Sequence, residues 1–421
     1  MERFFTIETF KMAPAFAKEK QTLQRLGIRK IMFGRTVDGQ FTYLVLPTEI
    51  ERVVRILVTG ETDTGKSLLI RVLMEGFLDE IVSYGDWISH PIFVFDFKGN
   101  YMGLTKPNKY ENDKILLKGY FFLEDKHIYG FPPKVVNIFC PPHAIPLSTK
   151  TDEGKKKFLQ LMKEYRVRRV WRMPWRFITD PSWLVGLFKM RDIQTSWLAY
   201  LHPILAKLSI RENITIDDIL KGGGLLEEEI KKIDDARIRN ALYTFIDKWR
   251  RYRYMFTDED ALAKHLGDKF SINVLTFLPT SGQTYSNNLC FLVALESLIS
   301  SLQHMKLKTQ PVFIFHDMRN ILDPKAPFST QIVNVLTRLV YGQARTKYHG
   351  YIVIFEIQNE NALPNMLTTR ELSYHYIFRC KWKTGLGKYF PSGGFCDYID
   401  NYHGTTIENI VIRPPRTNYV M

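Results

Sequence analysis

The residues from Gly60 to Leu68 have the types and spacing that hold a phosphate group. Gly60, four intervening residues, Gly65, Lys66 and Ser67 form the pattern G-x-x-x-x-G-K-S, with an apolar run before it and another after it. The glycines let the backbone curl until several N–H groups point at one anion, and a following helix would aim its positive end at the same point. Lys66 adds a point charge for the β- and γ-phosphates, and Ser67 offers a hydroxyl to Mg²⁺. Thr62, Asp63, Thr64 and Leu68 complete the predicted nucleotide-binding set.

Hydrolysis would ask for more than a cradle. It needs a carboxylate near the metal, a group that orients or activates water, and positive charge on the departing phosphoryl group. Asp317, just past the apolar run PVFIFH, is the candidate carboxylate and magnesium ligand. Gln358, just past YIVIFEI, is placed to bond the γ-phosphate or the attacking water; a solvated loop glutamine fits its position equally well. Arg345, with Lys347, is a candidate cation reaching a neighbouring subunit's nucleotide, and structural ion pairing fits the same residues.

Two clusters interleave arginine with aromatic rings. One holds Arg166, Arg168, Arg169, Arg172 and Arg176 with Tyr165, Trp171 and Trp175. The other is Arg250, Arg251, Tyr252, Arg253 and Tyr254. Guanidinium groups neutralise phosphates and aromatic faces stack on unpaired bases, so both are DNA-contact candidates. A solvated helix face whose arginines lie over aromatic core residues has the same pattern.

The chain has 421 residues, enough for one large core and an accessory region. Its net charge is +14, which suits a polyanionic partner, nucleic acid or an acidic membrane face. No apolar run is long enough for a membrane span, and the start of the chain lacks the apolar stretch of a secretory signal. Four scattered cysteines, without a C-x-x-C pair, give neither a zinc site nor a disulfide framework. A cytoplasmic setting is expected.

The elements that must position these residues read as α/β. Residues 1–50 suggest a small N-terminal β-rich cap, with a hairpin turn at Val37-Asp38-Gly39. Residues 51–149 begin a nucleotide-binding core, with strands expected at 56–58, 92–95 and 135–139. Strand patterns vanish over 150–267, which reads as a helical insertion, including one long helix over 225–254 and an N-cap at Thr215 with Asp218 three residues on. Strand–helix alternation returns over 268–421, with strands expected at 270–278, 311–315, 351–355 and 410–416.

Taken in order, ILVTGETDTGKS, FVFDFKGNY, VFIFHDMRNIL and ARTKYHGYIVIFEIQ resemble the motifs of the HerA/FtsK superfamily of P-loop motors. That superfamily spans DNA translocases, viral genome-packaging ATPases and the ATPases of conjugation and type IV secretion. The resemblance covers about residues 50–140 and 265–415. It implies a RecA-like, additional-strand ATPase core, ATP and Mg²⁺ as cofactors, a hexameric ring and translocation of DNA, with a nuclease or a membrane channel as possible further partners. By position, Lys66 and Ser67 would hold phosphate and metal, Gln358 would be the sensor and Arg345 the finger acting in trans. Where the family has Asp-Glu after its third strand this chain has His316-Asp317 or, shifted by one, Asp317-Met318, so one acid is missing in either register. The leading expectation is an ATP-dependent DNA translocase. The alternatives are a conjugation, secretion or DNA-import ATPase docked on a membrane channel, and a weakly hydrolysing, DNA-holding subunit.

Overall fold

The computed structural model describes residues 28–47, 53–78, 83–85, 90–101, 103–144, 169–178, 180–190, 193–211, 213–268, 270–277, 284–305, 310–342, 350–358, 374–381 and 394–417, with a few single positions between them. Arg345, Lys347, Tyr165, Arg166 and Arg168 lie outside the described residues.

One large sheet organises the chain. Its strands are β1 (Ile28–Thr36), β2 (Phe41–Pro47), β3 (Val54–Thr59), β4 (Ser83–Gly85), β5 (Ile92–Asp96), β6 (Val136–Cys140) and β7 (Arg169–Val170), then β10 (Ile272–Thr276), β11 (Val312–His316), β12 (Ile352–Ile357), β13 (Tyr376–Lys381), β14 (Phe395–Asp400) and β15 (Thr405–Ile412). A separate parallel pair is made by β8 (Met173–Pro174) and β9 (Phe256–Thr257). The order across the main sheet is β2-β1-β15-β14-β13-β3-β12-β11-β5-β10-β6-β7, with β4 paired to β1. From β13 to β7 every neighbouring pair is parallel. The run β14, β15, β1, β2 is antiparallel, so the N-terminal hairpin continues the same sheet.

The strand order identifies the core. β12 is inserted between the P-loop strand β3 and β11, which makes this a RecA-like P-loop fold with an additional strand.

The parallel strands are buried on both faces, as crossover connections require. Alternate residues feed two cores. Ile56, Val58, Ile92, Val94, Ile314 and Ile354 pack with the helix Lys66–Leu78 on one face. Phe93, Phe95, Phe313, Phe315, Val353 and Phe355 face the other, where the helix Thr284–His304 and the tryptophans of the helical region lie. On that second face Phe95 and Phe315 stack at 5.2 Å, and Phe315 and Phe355 at 5.1 Å, forming a ladder across three strands. Neighbouring strands carry their aromatic rings in the same register.

The region between β7 and β10 is mainly helical, with its boundaries set by local chemistry. The capping box at Thr215 and Asp218 starts the helix Ile216–Leu220. The expected long helix over 225–254 is two, Leu225–Ile230 and Ala236–Arg251. Asp235 breaks it: its carboxylate accepts from the N–H of Arg237 at 2.7 Å and of Ile238 at 3.3 Å, and an N-cap cannot also be mid-helix. Strands β13 and β14 were not expected from the pattern. Arg379, Lys381 and Asp397 interrupt their apolar residues, and the two strands are stabilised by pairing with each other, β13 also with β3 and β14 with β15.

Candidate active site

The carboxyl ends of β3, β12, β11 and β5 lie side by side. In register, Val58 opposes Glu356, Glu356 opposes His316, and His316 opposes Asp96. Each is an even step from a residue of the P-loop-helix core, so the whole row faces that helix. Ligands of open parallel sheets bind at such strand ends.

The loop after β3 has the backbone that the motif demands. Gly60, Asp63 and Gly65 all have positive φ, at 146°, 61° and 91°. A Cβ on Gly60 would come 2.2 Å from the carbonyl oxygen of Cys380 in β13, so any side chain there would displace the loop. Thr64 donates its hydroxyl to the Glu61 carbonyl at 2.8 Å, tightening the turn. The Lys66 ammonium, buried, also donates to the Glu61 carbonyl. Thr62 and Asp63 are exposed on the loop, and Leu68 is half-buried in the first turn of the helix.

Ser67 points into the row of strand ends. Its hydroxyl oxygen is 3.1 Å from Nε2 of His316 and donates to Oε1 of Glu356 at 3.0 Å. His316 is held on its other side by Asp96, with Nδ1 3.1 Å from Oδ1. Asn100 reaches Nε2 of His316 at 3.3 Å. Burial works against the imidazolium, but Glu356 and Asp96 outweigh it and raise the His316 pKa. Burial would likewise raise Asp96. The hydrogen bond and charge of His316, with the N–H groups of Lys98 and Tyr101, reverse that and lower its pKa.

His316 and Asp317 therefore have different surroundings. His316 faces Ser67, while Asp317 has a left-handed backbone (φ 54°) and its carboxylate lies 2.6 Å from the Lys98 ammonium. Gln358 lies over the phosphate loop: it donates to the Thr62 hydroxyl at 3.3 Å and accepts from Arg319 at 3.0 Å.

The arginine clusters divide. Arg176 donates to the carbonyls of Ser209, Arg211 and Ile214. Arg250 bonds the Leu220 carbonyl, Glu227 and Asp247, and Arg253 bonds Asp217 and the Phe256 carbonyl. Arg169, Arg172 and Arg251 are exposed and show no ion pair among the described residues. Trp171 and Trp175 are buried, their indole N–H groups donating to Asp260 and Asp258 at 2.9 Å each, so neither ring offers a stacking face.

Four residues around the strand ends lie within the quoted motifs but had no role assigned from sequence: Lys98, Asn100, Arg319 and Glu356. Glu356 left a legible signal, as the one acid in the apolar strand YIVIFEI. Its buried Oε2 pairs with Nε2 of His316 at 3.1 Å. A buried carboxylate accepting from the Ser67 hydroxyl makes an oxygen-donor pair of the kind that a hard divalent cation takes.

No family model matches the sequence, and comparison with curated proteins gave no match. Among solved structures the chain is similar to VirB4 of Thermoanaerobacter pseudethanolicus, at 13% identity over 91% of this chain and 96% of that one, with a TM-score of 0.46. It is similar to the bacterial conjugative coupling protein TrwBΔN70 in complex with sulphate, at 15% identity over 96% and 92% of the two chains, with a TM-score of 0.36. TrwB in complex with ADP and Mg²⁺ is 14% identical over 95% and 90%, with a TM-score of 0.34. These are distant likenesses, and the fold assignment rests on the strand order above.

Proposed function

We propose that the chain binds ATP with Mg²⁺ at the loop from Gly60 to Leu68 and couples its turnover to movement of DNA, as a subunit of a ring. The observation that carries the nucleotide reading is the cradle itself: positive-φ Gly60 and Gly65, buried Lys66 and inward-facing Ser67, at the carboxyl end of an additional-strand sheet. Bound Mg²⁺ would neutralise charge on the β- and γ-phosphate oxygens.

The chain's own groups divide the remaining work. The Lys66 ammonium leaves the Glu61 carbonyl for the phosphates. Gln358, held between Thr62 and Arg319, orients the terminal phosphate or the attacking water. Asp317 is the candidate acceptor of the water's proton, once released from Lys98. Support for a DNA partner comes from the net charge of +14 and from exposed Arg169, Arg172 and Arg251. Arg345 keeps its part as a candidate finger between subunits.

A second reading, a nucleotide-binding and DNA-holding subunit with little turnover, draws on His316 standing where an acid is expected beside Ser67. Single-turnover phosphate release separates the two. A motor releases phosphate at a useful rate, faster with DNA and abolished by Lys66→Ala; a holding subunit binds ATP and DNA without that acceleration. Turnover indifferent to DNA, with co-purifying membrane proteins, would point to a secretion or conjugation ATPase. Failure of the wild type to bind ATP at all would end the proposal.

A further inference from the structure

We propose that Glu356 supplies the metal-side carboxylate of this site, from the additional strand β12, in place of the acid missing from the end of β11. The inference rests on the nucleotide reading above. Three other strand-end or strand-flanking groups are already committed. Asp96 accepts from the N–H groups of Lys98, Gly99 and Tyr101 and bonds His316. Asp317 is turned to Lys98. His316 is wedged between Asp96 and Glu356, with Nδ1 and Nε2 each 3.1 Å from a carboxylate oxygen.

Among the described residues, Glu356 is the carboxylate that reaches the Ser67 hydroxyl. One oxygen accepts from the Ser67 hydroxyl, the other faces Nε2 of His316 at 3.1 Å, and the residue is only 4% exposed. The topology explains why β12 can do this. β12 pairs directly with the P-loop strand, and Glu356 opposes Val58, two residues before Gly60. A carboxylate in this row thus reaches the first turn of the P-loop helix as readily from β12 as from β11.

The test uses the full chain, Mn²⁺ as a paramagnetic probe and mant-ATP as the nucleotide. In wild type, mant-ATP binds tighter with Mg²⁺ than with EDTA, and Mn²⁺ with ADP gives a bound-metal EPR signal. Glu356→Gln is expected to keep the EDTA-state affinity yet weaken Mn²⁺ binding by at least about tenfold. Glu356→Asp, which keeps the charge, retains part of it. Adding His316→Asp to Glu356→Gln restores the Mn²⁺ signal, an outcome that a merely structural glutamate would not produce. A Glu356→Gln protein with wild-type Mn²⁺ affinity would overturn the inference, as would loss of the signal in Asp317→Asn alone. Wild type that binds mant-ATP in neither condition would instead remove the nucleotide reading beneath it.

Discussion

The Lys98 ammonium lies 2.6 Å from the Asp317 carboxylate, tying the turn after β5 to the residue that follows β11. Lys98 is 46% exposed, so the pair contributes about 1 kcal/mol at most to stability. Its interest is positional, because it holds the candidate proton acceptor. Lys98→Met is expected to leave thermal stability nearly unchanged while altering the rate and salt dependence of ATP turnover. Asp317→Asn should abolish turnover and spare ATP binding. Equal turnover in Asp317→Asn and wild type would remove Asp317 from the chemistry.

The tail after β15 is fastened by a buried charge network on the P-loop helix. Glu75 bonds Arg413 at 2.9 Å and Arg416 at 3.3 Å, and accepts from the backbone N–H groups of Arg416 and Thr417 at 2.7 and 3.0 Å. All three charged side chains are buried. Removing one partner strands the others, so Glu75→Ala should cost about 3–5 kcal/mol in denaturant unfolding. Faster amide exchange is expected at residues 413–417. A destabilisation below about 1 kcal/mol would mean that packing, not charge, holds the tail.

Acid sensitivity should have a contribution from His90. Burial, reinforced by Arg29, pushes its pKa down to about 3, and its Nδ1 lies 2.7 Å from the Gln310 carbonyl, to which the neutral ring donates. The folded state therefore binds this proton less readily than the unfolded chain. The contribution is complete above the ordinary histidine range, near 6.5, and is lost as pH falls toward 3. Across that window it amounts to on the order of 5 kcal/mol. His90→Asn should flatten the fall in Tm over this window; parallel curves for variant and wild type would rule it out.

DNA affinity offers a way to sort the arginines. Replacing Arg169, Arg172 and Arg251 with glutamine should weaken binding of any duplex sequence. It should also lower the slope of log Kd against log salt by about one unit for each phosphate no longer neutralised. Replacing Arg176, Arg250 or Arg253 should lower Tm instead, because their guanidinium groups hold loop carbonyls and carboxylates. An unchanged salt slope in the first set would move the DNA path elsewhere.

Much of this was legible in the residue order. The phosphate loop is local: glycines at positions of positive φ, a lysine and a serine at set distances, and a strand and helix on either side are all written within twenty residues or so. The buried parallel strands were equally plain as apolar runs, and Thr215 and Asp218 announced their cap. The break at Asp235 was readable too, but a periodic apolar pattern on both sides outweighed it.

What the sequence determined by itself, then, was that a phosphate could be held and which strands would carry the groups around it. Only the tertiary structure decided which groups meet. Two registers of His316-Asp317 were open on paper. Side-chain alternation and cross-strand register choose between them by putting His316, Glu356 and Asp96 in one row facing Ser67 and turning Asp317 to Lys98. Likewise, arginines alike in sequence divide between carbonyls and solvent. Such pairings join residues tens to hundreds of positions apart, and no local pattern encodes them; the packing of the two cores on either face of the sheet does.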